Sequence, residues 1–245
     1  MKILFSPSES KMSGGSRDAS VNFSWVFPNL NDKRLEILEM YNSFLKKANK
    51  NELQALFGLK KDNELEYYSS DLFSRPLMKA ILRYNGVAYE HLNYRNLDER
   101  SRKMIDENTI IFSNLYGVIL AKDMIFDYKL KQGESIGGFR TEVFYKKYFS
   151  GVLDDFLDSD ILDLRAGFYE KFYSLTKPYT AIKFLKNGKV VSHFAKAYRG
   201  IVLRCIALNQ ISSLDEFYNM QIPNLKINKI IKNRLKTEIV VDIIG

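Results

Sequence analysis

Apolar residues recur along this chain with two periods, one suited to strands and one to helices. Lys2-Ile3-Leu4-Phe5 is a short apolar run that stops before Pro7, and Thr109-Ile110-Ile111-Phe112-Ser113 is a second, β-branched one. Asp160 to Gly167 reads as a third buried strand with Arg165 at its end, and Glu238 to Ile244 as an apolar strand that finishes a sheet. Helical spacing runs through Leu35, Leu38, Tyr41, Phe44 and Leu45 up to Ala48 and resumes from Glu52 to Phe57. It returns at Leu77 to Leu82, at Glu99 to Asp106 and in the aromatic stretch Glu142 to Phe149. Tyr179 to Phe194 reads as two strands joined at Asn187-Gly188, the dipeptide that supplies the positive φ angles of a type I′ turn. Strands alternate with helices in the first two thirds, and a hairpin, a helix and a terminal strand occupy the last third. That order predicts an α+β fold, a single mixed α/β domain over residues 1–245 with a C-terminal β-hairpin followed by a helix.

The helix after the hairpin carries the first chemistry. The pattern places Lys196 and Arg199 on its first turn, sharing a face with Gly200, while Ala197, Ile201, Cys205 and Leu208 form an apolar stripe roughly opposite. Two cations beside free N–H groups and the positive dipole end make a place to hold an anion. Charge strengthens the point: from Lys171 to Leu214 there is no Asp or Glu, while Lys183, Lys186, Lys189, Lys196, Arg199 and Arg204 all fall inside that stretch. Lys226, Lys229, Lys232, Arg234 and Lys236 follow closely, on a chain of formal net charge +8. A one-sided field of this kind concentrates nucleic acid or phosphorylated small molecules, although a solvated basic surface has the same composition.

Other classes are excluded. With 46% hydrophobic and 13% aromatic residues the chain buries a sizeable core, and no apolar run approaches the ~20 residues of a membrane span. Cys205 is the single cysteine and reads as a small core residue. His91 and His193 are the only histidines, so no His/Cys metal site closes without carboxylates, and no metal or cofactor is expected. The motifs G-x-x-x-x-G-K-S/T, G-x-G-x-x-G and G-x-S-x-G are missing, so any site is assembled from scattered pieces.

Two such pieces lie in the first third. The loop after the first strand offers Ser6, Ser8, Ser10 and Lys11 to a phosphate, or is a plain Ser-Pro turn. Residues 35–68 read as helices around a basic turn, either a helix-hairpin-helix element that grips phosphate through Lys46, Lys47 and Lys60 or an ordinary αα-hairpin.

Four blocks then stand in order along nearly the whole chain: Ser6-Pro7-Ser8 with Lys11; Tyr84-Asn85-Gly86-Val87 with Tyr89; Leu115-Tyr116-Gly117-Val118 followed by Asp123, Tyr128, Leu130 and Gly133; and Phe194-Ala195-Lys196 with Arg199-Gly200 and Arg204. Together they resemble the YaaA family of bacterial peroxide-stress proteins. The resemblance implies an α/β fold of unusual topology and a cytoplasmic protein that binds DNA through a positive cleft and a helix-hairpin-helix element. It also implies a role in limiting iron-dependent oxidative DNA damage. The chain departs from the family pattern at Leu120-Ala121, at Asp127 and Lys129, and at Ala166 to Tyr169.

Two functions compete on this reading. One is a non-enzymatic DNA-binding stress protein that holds the phosphate backbone with little sequence preference, through Lys196, Arg199, Arg204, Lys183, Lys186 and Lys189 and, as a second patch, Lys46, Lys47 and Lys60. The other is an enzyme acting on a nucleotide, a nucleobase or a phosphorylated small molecule, with Ser8, Lys11, Tyr116, Lys196 and Arg199 gathered round the anion. Lys196 would then have a weakened proton, His193 would serve as acid or base, and Asp123 is the acidic candidate unless it caps a helix. A compact pocket favours the enzyme and a long open basic groove favours DNA.

Overall fold

The computed structural model describes residues 1–17 and 25–244, with the side chains of Ser192 and His193 outside that description. Strand β1 (Lys2–Phe5) is followed by helix α1 (Asn31–Lys47), whose Asp32 and Lys46-Lys47 suit the two ends of its dipole. Helix α2 (Lys50–Phe57) opens with a reciprocal Asn49–Glu52 capping box and closes at Gly58, whose φ of 65° is the left-handed conformation that glycine supplies. Next come α3 (Asp62–Ser69), β2 (Leu77–Lys79), α4 (Ala80–Arg83), α5 (Val87–Leu92), α6 (Glu99–Asn108), β3 (Thr109–Ser113), β4 (Gly117–Leu120) and β5 (Met124–Phe126). The chain continues through α7 (Thr141–Phe156), β6 (Ile161–Asp163), β7 (Tyr179–Lys186), β8 (Lys189–Val190), α8 (Ser192–Leu208), α9 (Leu214–Asn219), β9 (Leu225–Lys232) and β10 (Lys236–Ile243).

One eight-stranded mixed sheet organises these elements, in the order β4-β3-β1-β6-β7-β10-β9 with β8 added to β7. Its centre, from β3 through β1, β6 and β7 to β10, is parallel, and β4 and β9 run antiparallel at the edges. Ile3, Leu4 and Phe5 are all buried, as is every residue of β3, because helices cover both faces of the parallel strands. From β1 the chain reaches β3 on one side and later returns to β6 on the other. Such a reversal leaves a crevice beyond the carboxyl ends of the strands.

The edge of β7 that faces β6 is only partly paired. Strand β6 ends at Asp163 beside Ala181, and β8 pairs with β7 only at Leu185 and Lys186, so the stretch between is left for loop and helix to cover.

The structure bears out the mixed α/β class and corrects several details. Leu77–Lys79 is a strand paired antiparallel with Met124–Phe126, and only Ala80–Arg83 is helical: after Pro76, tertiary pairing overrides the helical spacing. Asn187 and Gly188 do take positive φ, yet the second hairpin strand stops at Val190 and α8 begins at Ser192. Lys196 therefore lies about one turn and Arg199 about two turns inside the helix, away from its free N–H groups. The buried face of α8 is Ala195, Tyr198, Val202, Leu203 and Ile206, whereas Leu208 is 48% exposed. The exposed edge strand β9 holds Lys226, Lys229 and Lys232, which the charge run had hidden. Among the described residues no helix is long and apolar enough to cross a membrane.

Gly200 fixes the placement of α8. A Cβ built there would overlap the carbonyl oxygen of Ala88 in α5, a backbone atom that has no freedom to move aside. Gly200→Ala gains ~1 kcal/mol of helix propensity but must part the two helices, and overpacking of this kind costs ~1–3 kcal/mol. Because the clash is with backbone, the overpacking cost falls at the upper end, and the variant is expected to lose ~2 kcal/mol net, lowering Tm by ~4–8 °C in a thermal unfolding scan. An unchanged Tm would mean that the helices separate freely.

Candidate functional site

Two loops and one helix meet at the crevice. The loop after β1 is pinned at Ser6, whose carbonyl accepts a hydrogen bond from the Tyr89 hydroxyl (2.9 Å) and whose Oγ accepts one from the Ala166 N–H (2.8 Å). The second bond ties the carboxyl end of β1 to that of β6. Further on, Ser8 Oγ donates to the Asn85 carbonyl, and a Cβ at Gly86 would overlap that hydroxyl, so the loop lies flush against the start of α5.

Helix α8 brings Lys196 and Arg199 to the same place. Both line a cavity of about 400 Å³ bounded by the Ser6–Ser10 loop, Gln132 and Tyr169, and both line a second of about 450 Å³ bounded by Arg165, Lys183, Lys236 and Glu238. The two cations thus stand at the junction of two chambers. Lys196 is exposed and Arg199 half-buried. Burial holds the Arg199 guanidinium below its ordinary range, with Asp163 pulling the other way.

Asp163 is nevertheless committed elsewhere. Arg165 donates to both of its carboxylate oxygens, at 2.9 Å and 2.8 Å, and to the carbonyls of Tyr169 and Tyr173. Lys196 and Arg199 have neither an ion pair nor a hydrogen-bond partner for their side chains among the described residues. Unpaired cations facing a cavity are the complement of an anion.

The other candidates divide. Lys183 lines the second chamber, 4.0 Å from Glu238, and Lys186 and Lys189 sit at the hairpin tip, with Lys186 4.4 Å from the Phe194 ring centre. Arg204 donates to the carbonyls of Leu92 and Asn93 and so closes the end of α5 rather than meeting the cleft. Tyr116 is fully buried, its hydroxyl accepting from the Phe126 N–H. Asp123 is buried too, accepting from the N–H groups of Val26 and Leu120: it holds a loop and a turn, neither capping a helix nor reaching the cleft. Lys46 is paired with Asp71 at 3.2 Å, while Lys47 and Lys60 are exposed. The His193 side chain lies outside the described residues. Gln132, Tyr169 and Glu170 escaped notice because a lone polar residue in an irregular stretch has no periodicity to mark it.

Comparison with known proteins decides the lineage. The family model described as peroxide stress protein YaaA matches residues 1–230. A Campylobacter jejuni protein is 49% identical over the whole of both chains. UPF0246 proteins of Corynebacterium glutamicum and Fusobacterium nucleatum are 31% and 28% identical, over 86% and 94% of each chain. The chain belongs to the YaaA peroxide stress family.

Three of the blocks that resemble the YaaA family are the ones that meet at this crevice. Ser6 and Ser8 touch Tyr89, Asn85 and Gly86, and Gly200 packs on Ala88. The Leu115–Val118 block lies beneath as core, with Tyr116 against Trp25 and Tyr128.

Within this YaaA-family site the lysine with a weakened proton is Lys11. Its ammonium lies 4.1 Å from the ring centre of Tyr128 and 5.5 Å from that of Tyr84, and donates to the carbonyls of Ser8 and Glu9. The hydroxyls of Tyr84 and Ser113 are each 2.9 Å from that of Tyr128. Burial foremost, then repulsion from Lys129, pushes Lys11 down to about 7, against the attraction of Asp127 and Glu9. Lys11 lines neither chamber.

A pH effect on stability follows. Below pH ~7 both folded and unfolded chains carry the Lys11 proton, and the fold bears the full cost of the buried charge. From about 7 to the free value of 10.5 only the unfolded chain holds it, so this lysine's contribution to stability rises with pH. Relative to Lys11→Met, the parent is expected to gain stability across that window in urea unfolding, by at most ~1.4 kcal/mol per pH unit. A pH-independent difference would mean that Lys11 titrates normally.

Proposed function

We propose that this YaaA-family chain is a cytoplasmic DNA-binding protein of the peroxide stress response. It contacts the phosphate backbone through the α8 crevice with little sequence preference, and by binding helps to limit iron-dependent oxidative damage to DNA. The observation that carries the reading is the pairing state of the cations: among the described residues Lys196 and Arg199 face the crevice without a carboxylate partner, in a stretch of chain with no acidic residue. Exposed Lys183 and Lys189 and the hairpin's Lys186 extend the positive surface on one side, and Lys226 and Lys229 of β9, which the register puts on the same sheet face as Lys183, carry it further. Backbone contacts position a duplex without reading it, which agrees with the lack of a base-reading module.

A second phosphate patch is proposed on the helices over 35–68, with Lys47 and Lys60 as its free charges. It is weaker, because Lys46 pairs with Asp71 and Lys50 with Asp62. An enzyme acting on a nucleotide or a phosphorylated small molecule is the second reading. Lys11 favours it, a lysine near neutrality over the ring of Tyr128, whose hydroxyl is bonded to those of Tyr84 and Ser113.

The test is binding of labelled duplex DNA across a salt series. The parent is expected to bind with log K falling linearly in log salt, and Lys196→Ala/Arg199→Ala to lose ~2 from the magnitude of that slope, since each phosphate contact contributes ~0.9. A parent that does not bind at moderate salt, or a folded double variant that binds equally well, removes the crevice from any DNA surface.

A further inference from the structure

The chamber on the Ser6–Ser10 side is more specific than a backbone contact requires. A duplex resting on the surface meets exposed Lys196, whereas half-buried Arg199 stands further in and borders the chamber. At about 400 Å³ the chamber lies at the low end of the ~300–1,000 Å³ range of small-molecule sites.

Its walls are mixed in chemistry. Ser8, Ser10, Gln132 and Tyr169 offer hydroxyl and amide groups, and Pro7 and Val87 offer apolar surface. Hydroxyls suit a sugar, an amide has both a donor and an acceptor for the edge of a base, and flat apolar surface suits its face. Glu9 also lines the chamber, with its Oε1 accepting from the Gln132 N–H at 3.1 Å. The cavity is held open by the fixed loop, since Ser6 is bonded to Ala166 and Tyr89 and Ser8 lies against Gly86. A preformed cavity spares the ligand the cost of ordering its walls.

We propose that this chamber receives one nucleoside monophosphate unit, with its phosphate between Lys196 and Arg199 and its sugar and base among Ser8, Ser10, Gln132 and Tyr169. The inference rests on the reading of Lys196 and Arg199 as a phosphate-holding pair. The unit has two sources, a nucleotide turned out of a DNA strand or a free mononucleotide, and the same chemistry recognises both. Extrusion costs a few kcal/mol in a paired duplex and less in single-stranded or mismatched DNA, so a strand source predicts a preference for unpaired sites.

Titration calorimetry of the parent with dAMP, adenosine and inorganic phosphate tests the chamber. Binding of dAMP is expected to be at least about tenfold tighter than either fragment, since each fragment keeps only part of the contacts. Ser10→Trp, at an exposed position, fills the cavity, and Gln132→Ala removes the amide; each is expected to weaken dAMP binding, the first by about tenfold or more. A strand carrying 2-aminopurine separates the sources. Its fluorescence rises on binding if a base leaves the stack, and stays level, with dAMP still bound, if the free mononucleotide is the ligand. The proposal is overturned if dAMP binds no tighter than inorganic phosphate, or if both variants bind it as the parent does. Salt-dependent duplex binding by the parent would then leave the backbone reading standing. Saturable dAMP binding in a parent that ignores duplex DNA would instead remove that reading and keep the chamber.

Discussion

Helix α8 lies so close to α5 that only glycine fits at position 200, and the rest of the site depends on that contact. With Gly200 on the Ala88 carbonyl, the helix faces the carboxyl ends of β1 and β6, and Lys196 and Arg199 reach the junction of two chambers. Just before α5, Gly86 admits the Ser8 hydroxyl, so this short helix and the glycine that precedes it dock both the cation-bearing helix and the serine loop. Backbone against backbone leaves no soft side chain to absorb a displacement. Three separated sequence blocks therefore act as one mechanical unit.

The positive charge of the chain divides by partner rather than by position. Arg165 engages both oxygens of Asp163, buried Arg83 donates to the carbonyls of Met12 and Pro76 and lies 3.8 Å from Asp127, and Arg34 donates to the carbonyls of Phe27 and Val118. These guanidinium groups are structural, since a buried charge persists only where hydrogen bonds replace its water. Arg204 and Lys46 also have partners. What remains at the crevice is Lys196 and Arg199, and Asp163, the carboxylate that acts on Arg199, is already occupied by Arg165. Net charge alone does not carry the functional argument; the unpaired fraction and its location do.

Much of the fold was legible because it rests on local patterns. The apolar runs Lys2–Phe5 and Thr109–Ser113 can only be buried, and Asn187-Gly188 dictates a tight hairpin, so these elements fall where they are expected. The misplaced elements depend on distant partners. Leu77–Lys79 is a strand because Met124–Phe126 lies beside it, and Leu225–Lys232 is one because β10 offers its edge. The start of α8 was missed by a few residues, and those few remove Lys196 from the helix end. The candidate site was legible in its cations and serines, whose types announce themselves. Tyr116 and Asp123 were drawn to the site by their neighbours in sequence, although burial places one in the core and makes the other a bracket between Val26 and Leu120. A weakened lysine was expected beside a helix end, yet the desolvation needed for it is found at Lys11, half-buried at the end of the serine loop against two tyrosine rings.

The arrangement grades the site by depth. At the outer level Lys196, Lys183 and Lys189 stand in water, where attraction to a polyanion is long-ranged, screened by salt and indifferent to sequence. One step inward, Arg199 is half-buried, and an anion that reaches it exchanges water for a fixed guanidinium in a medium where the interaction is stronger. Half-buried on the loop itself, Lys11 lies over the Tyr128 ring, whose hydroxyl bonds to those of Tyr84 and Ser113; it meets neither chamber directly but donates to the Ser8-Glu9 backbone that borders one of them. A protein that only coated DNA would need the first level. Half-buried charge costs stability and two glycine contacts hold the walls in place, so the crevice has the build of a recess for one anionic group and not of a flat basic surface alone.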